Sequence, residues 1–209
     1  MTKLNGIRAV AFDVFGTIVE IGDKRRPYKQ LMQKIYKAGR EKDLKDAELL
    51  MSTNIAFSNV PSLFDMNLSP EEISLLEKEL MSELSTITLY PEVLFTLNSL
   101  KEAGYKIGLC SNLATPYAKP VKELLPFELD AYAWSFEVGA IKPEERIYQK
   151  LCEALHCMPN EVLMIGDTLE EDYLGSRSFG MHALHLNRSC ESQMAESISK
   201  LDELLSIPL

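Results

Sequence analysis

The sequence predicts an α/β protein: a parallel sheet covered by helices on both faces, with one small all-helical insert. Three observations predict it. Residues 89–209 alternate short apolar runs with stretches of helical period, and such alternation implies right-handed crossovers between parallel strands. Residues 8–12 have the same short apolar character but stand apart from that series; an unbroken apolar run of this length reads as a strand buried on both faces. Between the two, residues 21–88 keep a helical period. The core domain is therefore assigned to residues 1–20 and 89–209, and the insert to residues 21–88.

Each element has its own reason. After the first strand, Tyr28, Leu31, Met32, Ile35 and Tyr36 recur at helical spacing, with Pro27 suited to a first turn and Gly39 to a C-terminal stop. Residues 42–56 read as a second, less regular helix, and 59–67, with Pro61, as a loop. Ser69 followed by Pro70, Glu71 and Glu72 forms a capping box that opens a third helix, with Ile73, Leu76, Leu80 and Leu84 on one side. Residues 91–103 form a helix halted by Gly104, and 106–110 the next strand. Then follow a helix over 117–125, a strand over 131–135, a helix over 143–156, a strand over 161–165, a helix over 170–179 stopped by Gly180, and a strand over His182–Leu186. The tail, 191–205, reads as an amphipathic helix.

Composition narrows the partners. The 209 residues, 46% hydrophobic and 25% charged, suffice for a sizeable core. No apolar run reaches membrane-spanning length, and the N-terminus lacks a signal-peptide pattern, so a cytoplasmic protein with no membrane partner is expected. A formal charge of −9 is repelled by phosphodiester backbones, which excludes nucleic acid as the expected partner. Residues 21–45 depart from that balance with nine Lys or Arg against three acids. Such a segment either draws anionic substrates or is a solvated helix face. Cys110, Cys152, Cys157 and Cys190 show no metal-ligand spacing and read as reduced thiols. Monomer and homodimer both stay open.

Function is concentrated at strand ends, where open parallel sheets bind ligands. Asp13 follows the first strand, with Gly16 to let the backbone turn and Thr17 to supply a hydroxyl. Ser111 and Asn112 follow KIGLC; Gly166 and Asp167 follow EVLMI, with Asp172 five positions on. Lys142 stands immediately before Pro143, near an expected helix N-terminus. Gathered at one edge, these make a nucleophilic carboxylate, hydroxyl and amide donors, an ammonium and further carboxylates. Such a set suits an anionic tetrahedral or trigonal group in transfer.

The ordered segments DVFGT, LCSN, IKP and GDTLEED resemble the four motifs of the haloacid dehalogenase superfamily, and the resemblance covers nearly the whole chain. It implies a three-layer, Rossmann-like core with the helical insert as a cap domain. It also implies Asp13 as covalent nucleophile and Lys142 as the group that neutralises developing charge. Thr17, Ser111 and Asn112 would bind substrate. Mg²⁺ would be held by Asp13, the Phe15 backbone carbonyl and Asp167, with Asp172 orienting metal waters or Lys142.

One position departs from the phosphatases of that superfamily, which read DxDGT: here the second aspartate is Phe15. A phenyl ring cannot protonate a leaving group or activate water, help worth roughly 10²- to 10⁴-fold. An aromatic residue there resembles the metal-independent 2-haloacid dehalogenase branch, whereas Asp167 and Asp172 resemble the metal-dependent phosphoryl-transfer branch. Three readings follow. The leading one is a Mg²⁺-dependent hydrolase acting through a covalent aspartyl intermediate on a small phosphorylated substrate. The others are a 2-haloacid dehalogenase, with Arg25, Arg26 or Arg40 as halide-holding cations, and a binding protein for phosphorylated metabolites. His156, His182, His185 and Trp134 are read as structural, and Glu170 and Glu171 as solvated helix-start acids or outer contacts to a metal.

Overall fold

The computed structural model describes residue 4 and residues 6–189 and 196–208. Strands β1 (Ala9–Phe12), β2 (Val19–Ile21), β3 (Ile87–Leu89), β4 (Lys106–Ser111), β5 (Ala131–Trp134), β6 (Val162–Gly166), β7 (His182–Leu186) and β8 (Ser197–Ile198) form two sheets. Six of them build a sheet in the order β5-β4-β1-β6-β7-β8, parallel at every pairing. Strands β2 and β3 pair antiparallel as a separate ribbon, at the two points where the chain leaves and rejoins the sheet layer.

Strand β1 shows why the sheet is sandwiched. Its alternate residues feed two cores: Val10 and Phe12 join the larger cluster with Leu97, Leu100, Leu201 and Leu204, while Ala9 and Ala11 face the cluster containing Ile147, Leu151 and Leu155. All four residues are fully buried, as two-sided burial requires. Small side chains on the second face let a helix approach closely: a Cβ at Gly108 would lie 3.1 Å from Leu151 Cδ1. The result is the expected three-layer α/β fold.

Helices α1 (Pro27–Lys37), α2 (Asp46–Met51), α3 (Val60–Leu63) and α4 (Pro70–Leu84) lie between β2 and β3. The Ser69 capping box forms as read, with Ser69 Oγ accepting from Glu72 N and the Glu72 carboxylate from Ser69 N. Two expectations need correction. The helix expected over 42–56 shrinks to α2, because Asp46 turns its carboxylate back on the preceding loop, accepting from Asp43 N, Arg40 and Tyr36. The loop expected over 59–67 begins as a 3-10 turn, Phe57–Asn59, and continues into α3, with Pro61 in its first turn and Val60 buried.

Helices α5 (Val93–Glu102), α6 (Ala118–Leu124), α7 (Ser135–Val138) and α8 (Glu145–Leu155) complete the layers. The expected start of α8 at Pro143 is also corrected. Residues 141–144 form a turn, in which Glu144 N donates to Ile141 O and Ile141 N to Glu144 Oε1, and the helix begins at Glu145. The helix expected over 170–179 is a wide π turn, Leu169–Gly175, followed by the short segment Ser176–Ser178. In the tail, residues 191–195 lie outside the described residues. The remainder is not the expected amphipathic helix: it is β8 and a 3-10 helix, Leu201–Ser206, that buries Leu201 and Leu204 against the core. Among the described residues no helix is long and apolar enough to cross a membrane.

Candidate active site

Register brings the polar strand ends together. Phe12 pairs with Leu109 on one side and Ile165 on the other, so Asp13 emerges between Ser111 of β4 and Gly166–Asp167 of β6. Asp13 N donates to Ile165 O at 2.9 Å, which fixes the exit of the strand. Its side chain is almost enclosed, the residue being 7% exposed.

Lys142 reaches this carboxylate from the far side. Its Nζ donates to Asp13 Oδ1 at 2.7 Å and to Asp172 Oδ1 at 2.5 Å, and the residue is 1% exposed. Burial alone would lower the ammonium's pKa; Asp13 and Asp172 outweigh it and raise the value well above the usual lysine range. Lys142 therefore stays charged. Its main chain is clamped by Asn112, whose Oδ1 accepts from Lys142 N at 2.7 Å and whose Nδ2 donates to Lys142 O and to Glu171 Oε2, both at 3.0 Å. The Asn112 amide thus places Lys142, which the helix start at Glu145 does not do.

Asp172 is buried in the π turn and accepts from Thr168 N at 3.0 Å as well as from Lys142. Burial pushes its carboxyl upward, and nearby Asp13 adds to the effect. Asp167 is raised for the same two reasons, burial first and Asp13 second. Glu171 is raised by burial as well. Carboxyls that resist ionisation in each other's company are those a cation would relieve.

One ligand oxygen each from Asp13, Asp167 and Asp172 lies within 4.8 Å of the others. An all-oxygen donor set with negative charge in excess over a single ammonium fits a hard divalent cation. Two glycines make the crowding possible. A Cβ on Gly16 would lie 2.2 Å from Asp167 Oδ2, and one on Gly166 2.1 Å from Asp172 Oδ2. Gly16 also takes a φ of +84°, so its absence of side chain is needed twice over.

The remaining expected residues divide. Ser111, 2% exposed at the end of β4, has no hydrogen bond from its hydroxyl among the described residues and is available to an anion. Thr17 is fully buried with its hydroxyl unpaired among the described residues, enclosed in the turn. The Phe15 ring meets Tyr117 edge-on at 5.6 Å. Arg25 is engaged by Asp23 and Glu79, and Arg40 by Asp46, so neither is a spare cation. His185 Nε2 donates to the Asp167 carbonyl at 3.0 Å, a main-chain support that reading the strand in isolation did not suggest.

Sequence reading also missed the contacts that join the insert to the sheet layer. Ser135 Oγ donates to Met51 O at 2.7 Å and accepts from Leu113 N at 3.0 Å. Tyr117 Oη donates to Glu83 Oε1 at 2.6 Å, and Glu83, 3% exposed, also accepts from Arg26 N. Each pair spans tens of residues; the available signal was a polar residue among apolar neighbours, as Ser135 is beside Trp134 and Phe136.

A parallel sheet with an enclosed aspartate, a lysine and an acid pair at its carboxyl edge defines the class: a three-layer α/β protein with an acidic pocket at its strand ends. The comparisons carry this to a family. The model for haloacid dehalogenase-like hydrolases matches residues 7–180, and the chain belongs to that family. Two curated relatives span nearly the full length. One is a glyceraldehyde 3-phosphate phosphatase of Methanothermobacter thermautotrophicus, 27% identical over 93% of this chain and 92% of its own. The other is (S)-2-haloacid dehalogenase 1 of a Pseudomonas species, 24% identical over 97% and 98%. Among solved structures, a HAD phosphatase from Thermococcus onnurineus superposes with a TM-score of 0.64 at 28% identity, over 96% of this chain and 97% of that one.

Proposed function

We propose that this hydrolase transfers phosphoryl groups from a small anionic substrate to Asp13 and thence to water, with Mg²⁺ as cofactor and with leaving groups that need little protonation. The observation that carries this reading is the acid trio Asp13, Asp167 and Asp172 around one ammonium, beside Phe15 in place of an acid. Mg²⁺ would be held by Asp13, Asp167 and the Phe15 carbonyl, with Asp172 behind them, and would supply positive charge to the phosphoryl oxygens.

This chain's own residues do the rest. Lys142 engages Asp13 Oδ1, which leaves Oδ2 to attack phosphorus. The new Oδ2–P bond forms as the bond to the leaving oxygen breaks, the electron pair departing with that oxygen. Lys142, kept protonated, offsets the charge that accumulates in flight. Ser111 offers a hydroxyl to the phosphoryl group. Water then attacks phosphorus as the P–Oδ2 bond breaks, its electron pair returns to the Asp13 carboxylate, and the water's protons leave with inorganic phosphate. Phe15 can donate no proton to the leaving oxygen, so aryl and acyl phosphates are favoured over alkyl phosphates. Residues 21–88 would serve as a cap domain over the site, in keeping with the low exposure of Asp13.

The test is hydrolysis of p-nitrophenyl phosphate and acetyl phosphate against glycerol 3-phosphate, with Mg²⁺ and with EDTA. Turnover of the first two, lost in EDTA and exceeding the third by about 10²-fold or more, is expected. Equal rates on all three, or EDTA-resistant turnover, would refute the restriction or the metal. A second reading is favoured by Phe15 itself and by the dehalogenase relative: halide displacement from a 2-haloacid. It requires halide release from L-2-chloropropionate that persists in EDTA. Of its candidate cations, Arg25 and Arg40 are engaged by carboxylates, which leaves Arg26, exposed and without an ion pair among the described residues, as the one to substitute in that test.

A further inference from the structure

Arg188 lies two residues past the end of β7, beyond the segment matched by the family model. Its guanidinium converges on the turn behind the nucleophile. Nε donates to Gly16 O at 3.0 Å and Nη2 to Thr17 O at 2.7 Å, while Nη1 donates to Glu92 Oε1 at 2.7 Å. The guanidinium carbon stands 3.7 Å from the centroid of the Tyr90 ring. Among the described residues no other donor reaches the carbonyl of Gly16 or Thr17.

The turn it grips is closed on itself by Gly16 N, which donates to Val19 O at 2.9 Å, and by a crowded acceptor. Thr17, Ile18 and Val19 N–H all converge on the single carbonyl of Val14, at 3.3, 2.9 and 3.0 Å. Three donors sharing one acceptor cannot all be well aligned, so the geometry depends on what holds the opposite side. That side is the Arg188 fork, fixed in turn by Glu92, whose side chain is only 12% exposed, and by the Tyr90 face. Tyr90 N also donates to Ile18 O at 3.1 Å, so the same cluster joins the turn to the segment by which the chain returns from the insert. A planar fork with several donors in fixed geometry suits this task; a lysine offers a compact ammonium without that fork.

We propose that Arg188 is a positioning residue for the chemistry at Asp13. It holds the turn that presents Phe15 and keeps bare Gly16 beneath Asp167, and thereby sets the spacing of nucleophile and cation-binding oxygens. The activity arm of the test rests on the phosphoryl-transfer reading above; the exchange arm does not.

The variant Arg188→Ala is examined by hydrogen exchange and by steady-state kinetics on p-nitrophenyl phosphate. Exchange at the amides of Thr17, Ile18 and Val19 should quicken by about tenfold or more, with β1 and β6 unchanged. The value of kcat should fall by about tenfold or more at near-constant KM, since misplacement by a fraction of an ångström acts on the transition state. Ethylguanidinium should restore part of kcat, and Arg188→Lys should lie between the two. A residue that only stabilises would lower the melting temperature, leave kcat intact and ignore ethylguanidinium. That outcome, or unchanged exchange at residues 17–19 in folded protein, overturns the proposal. If Arg188→Ala does not fold, Arg188→Lys decides: wild-type exchange and kcat overturn it. If the wild-type enzyme does not turn over phosphate esters, the function reading fails and exchange alone decides this one.

Discussion

At the scale of single residues, the proposed restriction on substrates rests on position 15. Its phenyl ring packs edge-on against Tyr117, which is itself tied to Glu83, so the surroundings are aromatic where a proton donor would otherwise stand. Introducing a carboxyl there supplies the missing acid without disturbing the main chain of the turn. Phe15→Asp is expected to raise kcat on glycerol 3-phosphate by about tenfold or more, short of the full general-acid contribution because the neighbours stay apolar. The measurement is kcat on that substrate, alongside a melting curve to establish folding; a folded variant with no gain contradicts the role given to Phe15. The contrast with Gly16 is instructive. Any side chain at 16 would collide with the Asp167 carboxylate, so the adjacent positions differ sharply in what they tolerate.

At the scale of elements, the loop between α1 and α2 is organised by one buried acid. Asp46, 4% exposed, accepts from Arg40 at 2.5 Å and Tyr36 at 3.0 Å, while Arg40 stacks over Phe64. The Arg40 hydrogen bond holds its carboxyl below the usual aspartate range despite the opposing effect of burial. A depressed value adds stability that is present above the unfolded pKa and lost as pH falls through the folded one. Asp46→Asn should therefore lower the melting temperature by about 3 °C or more at pH 7, and the gap to wild type should close as pH is taken below about 4. A gap that stays constant down to pH 3 would contradict the linkage. Which elements could be read in the sequence follows the same physics. Helix α4 was legible from Ser69 to Leu84 because cap and apolar stripe agree, and β1 because both of its faces are buried. The start of the helix expected over 42–56 was misread because the Asp46 contacts with the preceding loop, invisible to periodicity, hold the chain out of helix until residue 46. The site's strand-end acids were legible since buried runs stop at them; the turn of Asn112 toward Lys142 and the grip of Arg188 on Gly16 join segments far apart in sequence, and no local pattern carries them.

At the scale of the whole molecule, the helical insert and the sheet layer share one apolar cluster, in which Leu31, Leu80 and Leu84 lie with Leu97 and Leu113, and are tied in addition by polar bridges. These bridges include Tyr117 Oη to Glu83, Ser135 Oγ to Met51 O and Ile55 N to Thr115 Oγ1. Burial and the adjoining Glu83 push the Tyr117 phenol upward, so it remains a donor. Removing it in Tyr117→Phe leaves a buried carboxylate oxygen without that partner and should loosen the closed arrangement. Limited proteolysis at the β2 and β3 crossings should then run several-fold faster than in wild type; an unchanged cleavage rate would mean that this bridge does not hold the insert down. The sheet order has a consequence of a different kind. Strand β1 sits between β4 and β6, so the first strand made finds its second neighbour only when residues 162–166 have been synthesised. Such distant pairing is slow to form and late in assembly. A nascent chain thus carries Asp13 through most of translation without Lys142, Asp167 or Asp172 beside it, and the acidic pocket is among the last features to assemble.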